Sequence, residues 1–144
     1  MGWFLSNSKQ QMEDVVRTLG VEPDANYLLV YNRMNSAAKV AANLLLRTPS
    51  TVTGQVEKQH CMVFTPDQII VRRLTKHPET TLYSASAITN FTYRDGEDDT
   101  LIIEFDCNNA HLSFYTHKDF TMRMKYVAEN LQVLLNNNFL GYAN

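Results

Sequence analysis

The chain has 144 residues, of which 44% are hydrophobic and 19% are charged, a composition typical of one folded domain. Its formal net charge is -2 and its basic residues are scattered, which gives no electrostatic basis for nucleic-acid binding. No stretch approaches the roughly 20 apolar residues of a membrane-spanning helix, and the start lacks the basic segment of a signal peptide. The two cysteines, Cys61 and Cys107, are too few for a disulfide framework and predict reduced thiols in a cytoplasmic protein.

The first third of the chain predicts two helices. Ser8 and Gln11 have the spacing of a capping box at the start of the first helix, and Gly20 is placed to end it. A second helix is predicted over residues 36–47, which Asn35 or Ser36 can cap and Pro49 ends. Residues 26–34 contain an apolar run that fits either a short strand or a helical turn, since periodicity does not distinguish them.

From about residue 52 the pattern changes to short antiparallel strands joined by tight turns. The turn at 65–68 contains a proline at its first corner, which predicts a hairpin with Phe64 opposite Ile69. Further strands are predicted over residues 80–84 and 88–94.

The last hairpin turns at Asn108 and Asn109, since both residues can adopt the positive φ of a type I′ turn. The resulting register pairs apolar with apolar on one face and polar with polar on the other. The predicted opposite pairs are Phe105 with Leu112, Ile103 with Phe114, Asp106 with His111, and Glu104 with Ser113.

Four of the five residues 95–99 are carboxylates, which suggests either a cation site or a solvated hairpin tip. A strand follows where a calcium loop would need its closing glutamate, so weak cation capture is only the alternative. If Phe91 and Tyr93 face the core, Phe91 lies opposite Ile103 and the loop comprises residues 96–98. The sequence therefore predicts a three- or five-residue loop in which glycine or aspartate adopts positive φ.

The chain closes with an amphipathic helix whose capping box is predicted at Thr116 and Asp119. Its apolar residues recur at helical spacing and predict one core-facing stripe. That stripe comprises Phe120, Met124, Val127, Leu131 and Leu134.

Six or seven antiparallel strands followed by one C-terminal helix is the element order of a pleckstrin-homology-like (PH-like) fold. The stretch CMVFTPDQIIVRR resembles the opening strand pair of bacterial PH-like domains, and the stretch from TTLYSASAITNFTYR to the closing helix resembles their remainder. The resemblance covers residues 52–136. It implies an α+β fold, namely an antiparallel β-barrel or sandwich with a C-terminal amphipathic helix.

Two additional N-terminal helices complete the expected architecture. The predicted organisation is therefore an N-terminal helical extension over residues 1–48, packed on the same domain, and a PH-like domain with its helix and tail over residues 49–144.

The resemblance implies binding rather than catalysis. Classical PH domains hold phosphoinositide head groups with lysines and arginines around the first hairpin loop, but residues 65–68 include one acid and no base. Lys58, Arg72 and Arg73 would be strand residues rather than loop donors. Binding of a small ligand or a lipid head group at an open barrel end is therefore the alternative to protein–protein contact.

The sequence contains no recognisable catalytic or metal-binding arrangement. Cys-x-x-Cys and His-x-x-x-His spacings are absent, and His60 and Cys61 point to opposite faces of one strand. Asp106 and His111 form a possible acid/base pair but lack a nucleophile at a defined spacing. We therefore expect a non-enzymatic protein with no catalytic residues, cofactor or metal.

Both ends of the chain carry large apolar side chains, which favour contacts with a protein partner or with a second copy. Nucleic acid and membrane lipid are not expected partners. The candidate interaction residues are Trp3, Phe4, Leu5, Phe139, Leu140 and Tyr142.

Overall fold

A computed structural model describes residues 8–33, 59–76 and 78–143. They form an α+β fold with a seven-stranded antiparallel sheet and a C-terminal helix. The elements are α1 (Lys9–Thr18), β1 (Tyr27–Asn32), β2 (Gln59–Phe64), β3 (Gln68–Arg73), β4 (Thr80–Ser84), β5 (Ile88–Asp95), β6 (Thr100–Cys107), β7 (Ala110–His117) and α2 (Lys125–Asn136), with 3₁₀ turns at Ala85–Ala87 and Met122–Met124. Two α-helices thus occur within these ranges, and the helix predicted over 36–47 lies outside them.

The sheet is open, with the strand order β4-β3-β2-β1-β7-β6-β5. Of the predicted barrel or sandwich, the described strands therefore do not form a closed barrel, since β4 and β5 are the two edges of the sheet. Two local features lie at these edges of the sheet. The 3₁₀ turn Ala85–Ala87 redirects the chain after β4, and the β5 ladder shifts between Thr89 and Thr92, where Asn90 has a φ of 56°.

The apolar run at 26–34 forms a strand rather than a helical turn. β1 pairs with β2 from Tyr27 to Tyr31 and with β7 only at Tyr31 and Asn32. A segment assigned from sequence to the N-terminal extension therefore provides the strand that joins the two halves of the sheet.

Side chains satisfy the backbone where β1 diverges from β7. The Thr116 hydroxyl donates to the Leu29 carbonyl at 2.8 Å, and the Asn130 amide donates to the Tyr27 carbonyl at 3.1 Å. Both donors are buried. They supply hydrogen bonds to buried carbonyls beyond the two paired positions of β7.

The predicted capping box at Thr116 and Asp119 is wrong for this reason. β7 continues to His117, and α2 begins only at Lys125 after a 3₁₀ turn. The Thr116 hydroxyl donates to a buried carbonyl of β1 and does not cap a helix.

Two predicted hairpin registers are confirmed. Phe64 lies opposite Ile69 in β2–β3, and all four predicted pairs of β6–β7 occur. Asn108 and Asn109 have φ values of 51° and 70°, as a type I′ turn requires.

The β5–β6 register differs from the prediction by two residues. Tyr93, rather than Phe91, lies opposite Ile103. A hydrogen bond from the Gly96 amide to the Thr100 carbonyl, at 2.9 Å, closes a three-residue loop one position later than predicted. Because the shift is even, both aromatic residues keep the inner face.

The loop itself comprises residues 97–99. Asp98 and Asp99 both have a φ of 56°, which confirms that aspartate adopts positive φ. The Lys118 ammonium lies 2.9 Å from an Asp95 carboxylate oxygen, a partner that the sequence argument did not identify. The loop therefore marks a hairpin tip with a local ion pair.

An aromatic cluster fills the inner face of the curved sheet. The rings of Phe64 and Phe91 lie 6.3 Å apart, and those of Phe91 and Phe105 lie 5.9 Å apart. From the C-terminal tail, Phe139 joins the cluster at 5.4 Å from Phe64 and 5.3 Å from Phe91. The tail is thus part of the core.

The two helices cover further apolar surface of the sheet. In α1, Ser8 and Gln11 form the predicted capping box, and Met12 and Val16 are buried. Gly20 follows with a φ of 82°, as predicted. The helical part of the predicted α2 stripe is buried, namely Val127, Leu131 and Leu134.

Candidate functional site

The two cysteines are both buried and are not bonded to each other. Burial raises the pKa of the Cys61 thiol to about 12, although the Arg72 charge opposes that shift. A thiol with such a pKa is a poor nucleophile at neutral pH. Within the described ranges, no three His, Cys, Asp or Glu side chains are placed to hold a metal ion together.

Charged side chains form a cross-strand cluster on the outer face of β5–β6–β7. We call Arg33, Asn90, Arg94, Glu104, Asp106, His111 and Ser113 the outer-face cluster. Glu104 is central, because it accepts from Arg94 and from the Ser113 hydroxyl, the latter at 3.0 Å. Arg33 approaches the same carboxylate at 3.7 Å.

Opposing influences act on the Glu104 carboxyl. Partial burial is the largest and raises its pKa, but hydrogen bonds from Arg94 and Ser113, the Arg94 charge and His111 together outweigh it. The pKa is therefore lowered, and Glu104 stays ionised at neutral pH. A carboxylate held in this state is a poor general base.

The predicted cross-strand pair of Asp106 and His111 is confirmed. His111 Nδ1 lies 2.7 Å from Asp106 Oδ1, and the Asn90 amide donates to Asp106 Oδ2 at 2.9 Å. Hydrogen bonds from Asn90 and then from His111 lower the pKa of Asp106. The bond to Asp106, helped by Glu104, raises the pKa of His111.

The ionisation of Asp106 and His111 makes the stability of the fold depend on pH. His111 contributes stability below its unfolded pKa of about 6.5, and that contribution is lost as pH rises through its raised folded pKa. Asp106 contributes above its unfolded pKa of about 3.9, and its contribution is lost as pH falls through its lowered folded pKa. We expect ¹H–¹⁵N titration to give a raised His111 pKa that returns toward its ordinary value in Asp106→Asn. An unchanged His111 pKa in the variant would contradict the pairing.

The outer-face cluster pairs its charges internally. Both carboxylates accept hydrogen bonds, and the Ser113 hydroxyl donates to Glu104 instead of facing a free base. This geometry stabilises the β5–β6–β7 face and presents no activated nucleophile.

A concave surface lies at one end of the sheet, where loops and the C-terminal segment meet. We call it the terminal groove. It has a volume of about 1030 Å³ and is lined by residues 20–26, residues 64–68, and Val133, Leu134, Asn137 and Leu140. Its walls are therefore the α1–β1 loop, the β2–β3 hairpin, and α2 with its tail.

The groove combines exposed apolar side chains with acidic ones. Val133 and Leu140 are 44% and 39% exposed. Glu22, Asp24 and Asp67 are also exposed, and no Lys, Arg or His is among the described residues that line the groove. The groove is thus an apolar surface bordered by negatively charged side chains.

Hydrogen bonds hold the walls together. Asn26 joins the first loop to the hairpin, because its backbone carbonyl accepts from the Phe64 amide at 2.8 Å and its side-chain amide donates to the Phe64 carbonyl at 3.2 Å. The Tyr142 hydroxyl joins the tail to the hairpin by donating to the Thr65 carbonyl at 2.8 Å. Burial, and then the Asp67 charge, raise the pKa of Tyr142 to about 12, so the hydroxyl keeps its proton.

The predicted interaction residues of the tail have different environments. Phe139 is fully buried in the aromatic cluster, and Tyr142 is half-buried. Leu140 is exposed and lines the terminal groove. Trp3, Phe4 and Leu5 lie outside the described residues.

Sequence reasoning missed the acidic part of the groove and Val133. The signal was present in two similar stretches, Glu22-Pro23-Asp24 and Thr65-Pro66-Asp67. Both have the proline and aspartate typical of turns. Sequence alone does not show that these turns meet, because residues 26 and 64 are joined only in the folded sheet.

In the part of the chain that the structure describes, no helix is both long and apolar enough to cross a membrane. Compared with known proteins, the chain matches no protein-family model and no curated sequence.

Proposed function

We propose that this chain is a non-enzymatic PH-like interaction module that holds a segment of a partner protein in the terminal groove. The order of seven antiparallel strands and a C-terminal helix supports the PH-like assignment. The groove at the end of the sheet supports the interaction function.

One observation carries the proposal, namely exposed apolar side chains beside clustered carboxylates. Val133 and Leu140 offer apolar contact, while Glu22, Asp24 and Asp67 provide a negative surround. Apolar contact supplies binding energy, and charge complementarity supplies specificity and a faster encounter. The matching partner segment has apolar side chains flanked by lysine or arginine.

The same chemistry disfavours a lipid head group. Phosphate recognition uses clustered cationic donors, whereas the described lining of the groove has acids and no bases. A small anionic ligand would meet the same repulsion. Neither alternative is supported by a feature of the groove.

Amide chemical-shift mapping tests the proposal with a defined probe, a short synthetic peptide of alternating leucine and lysine. We expect shifts at residues 20–26, 65–68 and 133–140, and none with the matched peptide of alternating leucine and glutamate. Vesicles containing phosphatidylserine and phosphoinositide should not bind the protein. Peptide shifts confined to other surfaces, or sedimentation with the vesicles, would contradict the proposal.

A double variant separates specific from general apolar contact. Val133→Ser with Leu140→Ser should weaken binding of the leucine–lysine peptide by about tenfold or more, since two apolar contacts are lost. Met122→Ser is the matched control, because Met122 is 88% exposed and does not line the groove. Equal loss of affinity in the control would show that the peptide binds through general stickiness.

A further inference from the structure

Within the described residues, β4 pairs with another strand along one edge only. The Arg73 amide donates to the Glu79 carbonyl at 2.8 Å, and the Ala85 amide donates to the Asp67 carbonyl at 3.0 Å. When the β3–β4 register is continued by one residue at each end, Arg73 lies opposite Glu79 and Asp67 lies opposite Ala85. Residues 79 and 85 thus direct their backbone groups toward β3.

Antiparallel strands alternate hydrogen-bonding and non-hydrogen-bonding positions. The backbone groups of Thr81 and Tyr83 therefore also point toward β3. The amides and carbonyls of Thr80, Leu82 and Ser84 point instead to the open edge. Within the described residues, no strand pairs with that edge. The same three residues have exposed side chains, and Leu82 is 59% exposed.

The other edge of the sheet is protected. β5 has a register shift beside Asn90 and ends with Arg94 and Asp95, and bulges and charges discourage edge pairing. β4 has the sequence TTLYS, with no charge, proline or glycine. Its threonine, leucine and tyrosine side chains favour strand pairing.

We propose that the β4 edge pairs antiparallel with β4 of a second copy, about a twofold axis through Leu82. This inference rests on the proposed function, in that the chain is an interaction module, but it uses a surface separate from the terminal groove. The resulting dimer has one continuous sheet through both copies.

The strand is self-complementary under that symmetry. Leu82 lies opposite Leu82 of the second copy, and Thr80 lies opposite Ser84. Each of these pairs exchanges amide–carbonyl hydrogen bonds, because all of these residues face the edge. The side-chain pairs are apolar with apolar and hydroxyl with hydroxyl, and no like charges oppose each other.

Sedimentation velocity over a range of concentrations tests the dimer. We expect a reversible dimer for the native chain and at least about tenfold weaker association in Leu82→Pro. Proline at this position removes an amide that points away from β3, so β4 can stay paired with β3. Circular dichroism checks that the variant is folded.

Leu82→Lys tests the same interface through the side chain, should the proline variant fail to fold. It opposes two ammonium groups at the axis and should also weaken the dimer. Met122→Lys is the control, since it introduces lysine at an exposed apolar position outside β4. A native chain that stays monomeric, or a dimer that survives Leu82→Lys, would overturn the proposal.

Cysteine cross-linking tests the register. Opposed residues in a hydrogen-bonded pair have Cα atoms about 5.5 Å apart, which permits a disulfide. Leu82→Cys should therefore form a covalent dimer on mild oxidation, whereas Thr80→Cys should not, since it opposes Ser84. The native thiols Cys61 and Cys107 are buried and should add little background. Equal cross-linking at both positions would contradict the register.

These results are separable from those on the terminal groove. Leu82→Lys should leave the shifts caused by the leucine–lysine peptide unchanged. Loss of the dimer with intact peptide binding would therefore concern only β4, and a dimeric chain that ignores the peptide would overturn only the groove.

Discussion

Replacing Phe139 with alanine will lower the free energy of unfolding by about 3–5 kcal/mol. The side chain is fully buried although it lies beyond the last helix, near the C-terminal end of the chain. Its ring lies 5.3–5.4 Å from the rings of Phe64, Phe91 and Tyr93. The variant leaves a cavity in the aromatic cluster that neighbouring strands fill only in part.

Urea denaturation followed by fluorescence or circular dichroism gives the measurement, with Leu140→Ala as the matched control. Leu140 is the next residue and is partly exposed, so its truncation should cost less than about 1 kcal/mol. Similar losses in both variants, or a negligible loss in Phe139→Ala, would show that the tail is not part of the core.

Replacing Asn130 with leucine will lower the free energy of unfolding by about 1–3 kcal/mol. The leucine side chain has the same number of heavy atoms and the same branch at Cγ, but it cannot donate to the Tyr27 carbonyl as the Asn130 amide does at 3.1 Å. A buried carbonyl is then left without its donor, and this cost exceeds the gain from an apolar side chain. Thr116→Val should have a similar effect at the Leu29 carbonyl.

Gln132→Leu is the control for this second result, since it makes the same kind of change at an exposed position of α2. Its effect should be within about 0.5 kcal/mol of zero. If Asn130→Leu and Thr116→Val were both neutral, side-chain donors would not be needed where β1 and β7 diverge.

Turn chemistry explains why some registers were predictable from sequence. At Asn108 and Asn109, local backbone preference and the alternation of apolar residues agree, and the β6–β7 register followed. In the β5–β6 hairpin, local backbone preference and apolar alternation do not both identify the loop residues. The glycine at 96 lies just before the loop, and Asp98 and Asp99 supply the positive φ.

Long-range demands explain the other errors. Thr116 has the spacing of a helix cap, but its hydroxyl is needed by a carbonyl 87 residues away. β1 was ambiguous because residues 27–30 are buried on both faces, so no alternation marks it as a strand. The open edges of the sheet were not predictable either, because the same pattern of strands fits an open sheet and a barrel equally well.

The candidate site was predictable only in part. The apolar tail directed attention to Leu140, which does line the terminal groove. Phe139 gives the same sequence signal but is buried, because positive φ values at residues 138–141 turn the tail back onto the sheet. The acidic wall needed the tertiary structure, since it combines two loops that are distant in sequence.

A charge swap is the most direct test of the terminal groove. Glu22→Lys with Asp24→Lys reverses two of the three charges of the acidic wall, and Glu97→Lys with Glu129→Lys makes the same change in net charge outside the groove. By isothermal titration calorimetry, we expect the groove variant to lose the leucine–lysine peptide and to bind the leucine–glutamate peptide. The control should keep the native preference. An unchanged preference in the groove variant, or the same switch in both variants, would contradict recognition of a basic apolar segment by this groove.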